Sequence, residues 1–475
     1  MLRLRIPAAT ALALTVLSSC VTAPVPSTPL PSFSVAPGDV GEISADRVRE
    51  HLQALEEIAA ANGGNRAAGS SGYAASVDYV VGQLREMGYT VSTPVVDITA
   101  FRELPGSRLA IEGGATLESG RDFRAMLYSA AGDLTAPLAT VGFPDSPGGE
   151  GNQGCDADDF AGFPAGAIAI TPPGPCFRRQ TVQNAVAAGA VALLAVYADR
   201  EPGTALRPTL ISPEGMDIPA LTVVTEAGDA LLAAVAEGKQ VSLRVNVELT
   251  PAVAHNVIAE PEDAEPGGRV AMVGAHLDSV LDGPGVNDDG SGVAAVLEIA
   301  RTFAEVPGGR LRVGLWAGEE YGIYGSRDYV ESLADGELQT PIAYLNLDML
   351  GSLNGVPFVY DDSQAADGSD QVRDYLLAAL TALGVTAEPM DLGGASDHAA
   401  FQFAGIPTGG IFSGAAEKKT ADQASAHGGT ADEPMDACYH LPCDTTDNVD
   451  ADLVAVYAAA IAQTARALAE GELLP

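Results

Sequence analysis

The strongest constraint on the fold of this 475-residue chain is a set of short apolar runs that each stop at a histidine or an acid. AMVGA runs into His276, LWAG into Glu319 and Glu320, and YLNL into Asp348. Runs of this length, bounded by turn residues, read as buried strands. Between them lie helical patterns. GVAAVLEIARTF puts Val293, Val296, Leu297 and Ala300 on one face, and SRDYVESL is a short helix. GIPTGGIFSG reads as a further strand, and the stretch from about Asp450 to Leu468 as a last helix. Strands alternating with helices predict an α/β fold with a mostly parallel sheet covered on both faces. In such sheets a site forms beyond the carboxyl ends of the strands, where His276, Glu319, Glu320 and Asp348 all fall.

The opening of the chain has the same texture. Ser44 can cap a helix carrying Val48, Leu52, Leu55 and Ile58, and a second helix with Val77, Val80, Val81, Leu84 and Met87 stops at Gly88. YTVSTPVVDI follows as one strand. From about 115 to 250 short apolar runs alternate with Gly and Pro turns. This stretch has a strand at AIAI (167–170) and a helix running into a strand in NAVAAGAVALLAVY. None of the candidate ligands falls there, so it is expected to be a separate unit inserted into the first. The expected division is 1–20 leader, 21–40 Pro/Ser-rich tether, 41–118 and 251–475 the two parts of the main domain, and 119–250 the insert.

A net charge of -38 argues against a nucleic-acid binder, which needs a basic patch, and against a general affinity for anionic membranes. Arg3 and Arg5 precede the short apolar segment ATALALTVL, as in an export signal. That segment runs into Leu17-Ser18-Ser19-Cys20, which resembles a bacterial lipobox with Cys20 as the acylated residue. Val21 is not an inner-membrane retention signal of the aspartate type, so the expected location is the outer membrane or cell surface, with a periplasmic or secreted form as the alternative. The lipid would be the only membrane attachment, since no later segment is apolar over the ~18 residues a spanning helix needs. With Cys20 set aside, Cys155, Cys176, Cys438 and Cys443 remain, and two local disulfides are the simplest of three pairings.

Taken singly, the candidate ligands are weak signals. His276 at a strand end is most often a structural histidine, although Asp278 two residues on could hold its tautomer. Asp288 and Asp289 lie in the glycine-rich GVNDDGSG, which by itself is an ordinary turn or cap. Glu319-Glu320 could be a solvated pair. Asp348 in LNLDML is harder to dismiss, because a buried carboxylate is costly unless paired or metal-bound. His440 sits between two cysteines in CYHLPCD. Together, two imidazoles and three carboxylates suit a pair of divalent ions, zinc first, with Glu319 left over to act on water.

These segments, with HNVIAE, SDHAAF and an early NRAAGSSGYAASVDYV, resemble the double-zinc exopeptidase family of secreted bacterial leucyl aminopeptidases and vacuolar aminopeptidase Y. DDFAGFPAGAIAI, GPCF and NAVAAGAVALLAVY resemble a protease-associated domain. The resemblance implies that Asp288 bridges two zinc ions, that His276 and Asp348 complete one site, and that Glu320 and His440 complete the other. It implies Glu319 as general base, Tyr439 as oxyanion stabiliser and a cis peptide between Asp288 and Asp289. A calcium requirement stays open. Relatives often carry arginine at the position of Ala395, where it would hydrogen-bond substrate, and this chain does not. His398 is read as a structural or pocket residue. The function implied is removal of N-terminal, apolar residues from peptides with a free amino terminus. The competing readings are a carboxypeptidase or dipeptidase on the same fold, which needs a cationic pocket for the substrate carboxylate, and an inactive peptide-binding relative.

Overall fold

The computed structural model describes residues 43–474 apart from 144–152, 173, 175, 198–204, 263–268, 305–309, 334–337, 339 and 363. The leader, the tether and Cys20 lie outside the described residues.

The main domain is built on an eight-stranded sheet in the order Tyr89–Ser92, Val257–Pro261, Leu311–Trp316, Val270–His276, Pro341–Leu347, Thr408–Phe412, Phe358–Tyr360 and Glu388–Met390. Its four central strands are mutually parallel, and antiparallel pairs flank them on both sides. The mostly parallel mixed sheet expected from the alternating pattern is therefore present. Every residue of Val270–His276 and Pro341–Leu347 is buried, as central parallel strands between helical layers must be. His276 and Trp316 are paired in register, so the two strands end level with each other.

Tyr324–Ser332 and His398–Phe403 cover one face of the sheet, where Trp316, Tyr329, Tyr344 and Phe401 form an aromatic cluster with Met272. Gly314 makes room for it, since a Cβ there would lie 2.3 Å from the Trp316 indole. Gly290–Ala304 lies on the other side and is buried on almost all sides. The amphipathic pattern anticipated one buried face. The difference arises because Ala45–Ala61 and Ala451–Glu470 pack over this helix as a further layer. Glu298 on it is fully buried and answered by Arg47 Nε at 2.9 Å and Arg301 Nε at 3.1 Å, as a buried carboxylate requires.

YTVSTPVVDI does not form one strand. It breaks before Val95, after Thr93 and Pro94, because proline has no N–H to give to a ladder. Tyr89–Ser92 joins the main sheet, while Val95–Glu103 pairs antiparallel with Val247–His255 as a separate two-stranded ribbon. The ribbon carries the chain out to a second eight-stranded sheet and back. That sheet runs in the order Thr116–Leu117, Arg108–Ile111, Gln240–Val245, Gly132–Thr140, Ile168–Thr171, Ala192–Tyr197, Ala220–Val224 and Phe123–Ala125. Its first strands in sequence fall before residue 119, where the insert was expected to begin. Arg108–Ile111 and Thr116–Leu117 are too short to show a period, so only their pairing reveals which sheet they join. Cys155 is bonded to Cys176 within the insert, and Cys438 to Cys443 in the main domain.

Candidate metal centre

Two groups of three side chains converge beyond the ends of the central strands. His276, Asp288 and Asp348 offer donor atoms within 4.8 Å of one another, and so do Asp288, Glu320 and His440. Asp288 belongs to both and turns one oxygen to each. His276 Nε2 is 3.1 Å from Asp288 Oδ1 and 3.8 Å from Asp348 Oδ1. His440 Nε2 is 3.0 Å from Asp288 Oδ2 and 3.2 Å from Glu320 Oε2. Asp288, Glu319, Asp348 and His440 open onto a cavity of about 290 Å³ that is also lined by Met349, Met390, Leu392, Phe412 and Ala415. Tyr439 lines it too, its ring stacked on His440 with centroids 3.8 Å apart.

The fold places each group by backbone contacts. His276 ends its strand, and its Nδ1 lies 3.0 Å from the Asp278 carbonyl oxygen. The Asp278 carboxylate, expected to hold this imidazole, is 3.8 Å from Nδ1. Its Oδ1 instead accepts from the Gly318 and Glu319 amides at 2.9 and 3.1 Å, because the neighbouring strand ends level with its own. Asp278 therefore fixes the turn that presents Glu319. Asp289, joined to Asp288 by a cis peptide, ties the first group together. Its Oδ2 accepts from His276 N at 3.2 Å, and its Oδ1 from Gly292 N at 2.8 Å and Met349 N at 3.2 Å. Met349 and His440 both hold left-handed φ values, 53° and 60°, conformations that cost non-glycine residues about 1–3 kcal/mol and gather at functional sites.

The electrostatics suit a cation cage. Burial pushes Glu319 well above the ordinary carboxylate range, against the pull of His276. Burial likewise raises Glu320 to about 7, opposed by His440, and raises Asp348. Asp288 stays below the usual range despite its burial because both imidazoles hydrogen-bond to it. Burial disfavours the charged imidazoles as well, yet Glu320 and Asp288 hold His440 up at about 10. A divalent ion in either group would take the place of the imidazole protons and let the carboxylates ionise. Glu320 Oε1 is a buried acceptor without a hydrogen-bond partner among the described residues, a costly state that a cation relieves. The donor set and its charge state thus fit metal ions.

Sequence reasoning missed three supporting residues. Arg66, fully buried, donates through Nε to the Pro284 carbonyl at 3.0 Å, through Nη2 to Gly285 at 2.7 Å and through Nη1 to Leu277, clamping the loop between His276 and Asp288. Ser396 donates to Asp348 Oδ2 at 2.6 Å. Asp444 accepts from the Asn287 and Asp288 amides at 2.8 and 3.1 Å. Each lies in a segment already notable as a motif, but no local rule gives such residues a partner so far along the chain. His398 stands outside both groups, with Nε2 2.9 Å from Asp362 Oδ2, and Ala395 lines the cavity.

Residues 256–465 match the family described as Peptidase family M28, and residues 134–231 match the PA domain. The aminopeptidase of Pseudomonas aeruginosa strain PAO1 is 37% identical over 481 residues, covering 95% of this chain and 89% of that one. The chain belongs to peptidase family M28. This M28 chain is thus an enzyme, a peptide-bond hydrolase with an inserted PA domain. It is also 38% identical to a Mycobacterium tuberculosis protein named "Probable lipoprotein aminopeptidase LpqL", over 88% of this chain and 84% of that one. Among solved structures, the aminopeptidase from Aneurinibacillus sp. strain AM-1 superposes with a TM-score of 0.69 at 27% identity, covering 91% of this chain and 95% of the other.

Proposed function

We propose that this M28 peptidase is a zinc aminopeptidase that uses two metal ions to release N-terminal, preferentially apolar, residues from peptides with a free amino terminus. The observation that carries the reading is the pair of three-residue groups sharing Asp288, with Glu319 on the same cavity. His276, Asp288 and Asp348 would hold one ion, and Asp288, Glu320 and His440 the other. Once bound, the ions supply Lewis acidity that polarises the scissile carbonyl and makes water easier to deprotonate. Glu319 takes the proton from the attacking water and returns it to the leaving amine, a role suited to a carboxylate whose burial makes it a better base. The Tyr439 hydroxyl faces the developing oxyanion. Met349, Met390, Leu392, Phe412 and Ala415 give the first side chain an apolar seat, and the surplus carboxylates attract its ammonium.

Among the described residues no Lys or Arg lines this cavity, which favours an amino-terminal over a carboxyl-terminal exopeptidase. The name and coverage of the Pseudomonas relative support the same choice. The chain up to Val95–Glu103 and from Val247–His255 onward would form the peptidase domain, with the PA-type insert between them. The insert borders the centre: a Cβ on Gly322 would lie 2.4 Å from the Ile211 carbonyl oxygen, and Arg207 Nε is 2.9 Å from Asp282 Oδ2 on the loop before Asp288. The insert would therefore limit which peptides enter. Export through the leader with lipid on Cys20 completes the reading, supported by the M. tuberculosis relative's name.

The test is hydrolysis of leucine p-nitroanilide by the chain lacking residues 1–20, beside its N-acetyl analogue. Turnover of the free amine alone, lost on chelation, restored by zinc and abolished in Glu319→Gln, is expected. Equal turnover of the acetylated substrate, or full activity in Glu319→Gln, would refute it.

A further inference from the structure

We propose that Asp444 is a positioning residue that sets the spacing between Asp288 and His440, and so the affinity of the ion held by Asp288, Glu320 and His440 more than that of the other. The inference rests on the metal-ligand reading above. Three successive amides, Val286, Asn287 and Asp288, all donate to this one residue. Val286 N reaches its carbonyl oxygen at 3.1 Å, Asn287 N its Oδ1 at 2.8 Å and Asp288 N its Oδ2 at 3.1 Å. Asp444 is only 1% exposed, so water does not stand in for these contacts. Asn448 Nδ2 reaches Asp444 Oδ1 at 3.2 Å and Asp436 Oδ1 at 3.0 Å. Asn287 Nδ2 in turn donates to Asp436 Oδ2 at 2.6 Å.

The path from Asp288 to His440 therefore closes on itself. It runs from the Asp288 amide to the Asp444 carboxylate, along the chain to Cys443, across the disulfide to Cys438, and through Tyr439 to His440. The imidazole then meets Asp288 again at Oδ2, 3.0 Å away. Among the described residues of the centre, this circuit holds Asp288, which both groups share, and His440, which only the second contains. His276 and Asp348 depend on Asp289, which holds the His276 and Met349 amides at 3.2 Å each. Two carboxylates behind the centre thus divide the work: Asp289 aligns the first group and Asp444 the second.

An amide at 444 keeps the volume but offers one acceptor oxygen where the carboxylate offers two, so one backbone N–H would face an NH2 group. The experiment is a zinc titration of the chain lacking residues 1–20 against a chromophoric chelator, read as two stepwise affinities, for the wild type, Asp444→Asn and Asp289→Asn. Outer contacts of this kind are worth about 10–100-fold in metal affinity. Asp444→Asn is expected to lose that much at one step and clearly less at the other, while Asp289→Asn shows its larger loss at the opposite step. Equal losses at both steps in Asp444→Asn, or unchanged affinities with a lower unfolding temperature, would make Asp444 a general support and overturn the proposal. Should Asp444→Asn fail to fold, Asn448→Ser frees the same carboxylate by removing its side-chain donor. A loss concentrated at one step is again expected, and two unchanged steps overturn the idea. Neither readout uses peptide hydrolysis, so failure here is distinct from failure of the aminopeptidase assignment.

Discussion

Ser396→Ala tests whether a buried hydrogen-bond chain aims Asp348. Trp316 Nε1 donates to the Tyr344 hydroxyl at 2.7 Å, that hydroxyl to Asn346 Oδ1 at 2.8 Å, Asn346 Nδ2 to Ser396 Oγ at 2.9 Å, and Ser396 Oγ to Asp348 Oδ2 at 2.6 Å. Alanine removes the donor to the carboxylate and the acceptor for one amide hydrogen. Asn346 Nδ2 keeps the Tyr360 hydroxyl at 3.0 Å, so its loss is partial. Ser396 is 3% exposed but lines the cavity beside Asp348, so water can make good part of the loss. A hydrogen bond to a charged acceptor contributes about 1.5–3 kcal/mol, and a buried polar group left without a partner costs about 1–3 kcal/mol. The two changes share a network and do not add fully, and burial raises Asp348 when no ion is bound, so a loss of about 1–3 kcal/mol is expected in the zinc-free chain. Zinc affinity at the group containing Asp348 should fall about 10–100-fold, because its ligand is no longer held in place. Urea unfolding of the zinc-free protein and a chelator competition read the two effects separately. Wild-type values in both would show that the chain from Trp316 to Asp348 carries no energy and that Asp348 is held by other means.

Three further outcomes follow from the same contacts. Arg66→Met leaves the Leu277, Pro284 and Gly285 carbonyls without their donor and should lower stability by about 3–5 kcal/mol in urea unfolding; a loss under about 1 kcal/mol would contradict its role as a clamp. Burial holds His51 down at about 4, against an ordinary 6.5, so its stabilising effect is full above pH 6.5 and is lost as pH falls toward 4. The stability difference between wild type and His51→Gln should therefore change by about 3 kcal/mol across that window, and a flat difference would refute the assignment. Gly292→Ala would put a Cβ 2.3 Å from the Leu347 carbonyl and 2.4 Å from Asp289 Oδ1. It should cost at least about 1–3 kcal/mol and weaken zinc binding with it, measured by thermal unfolding with and without zinc.

Much of this centre is legible because strands bury continuously and stop abruptly. His276, Glu319, Glu320 and Asp348 follow apolar runs, and in an open α/β sheet the ends of parallel strands meet at one edge, so an α/β fold with its site at the carboxyl ends follows from local pattern alone. The motifs around Asp288 and His440 also identify the family, since glycine turns and cysteine spacings are local features. Partners far apart in sequence were decided by tertiary packing. The Asp278 carboxylate goes to the Glu319 turn because two strands end level. Arg66 meets a loop more than two hundred residues away, and Asp444 meets Asp288 across 156 positions. The limits of the second sheet were likewise hidden, because Arg108–Ile111 and Thr116–Leu117 acquire their place only by pairing, directly or through each other, with Gln240–Val245. Periodicity and composition report what each residue wants to bury. Which distant amide a buried carboxylate will find depends on where the folded backbone brings the two together.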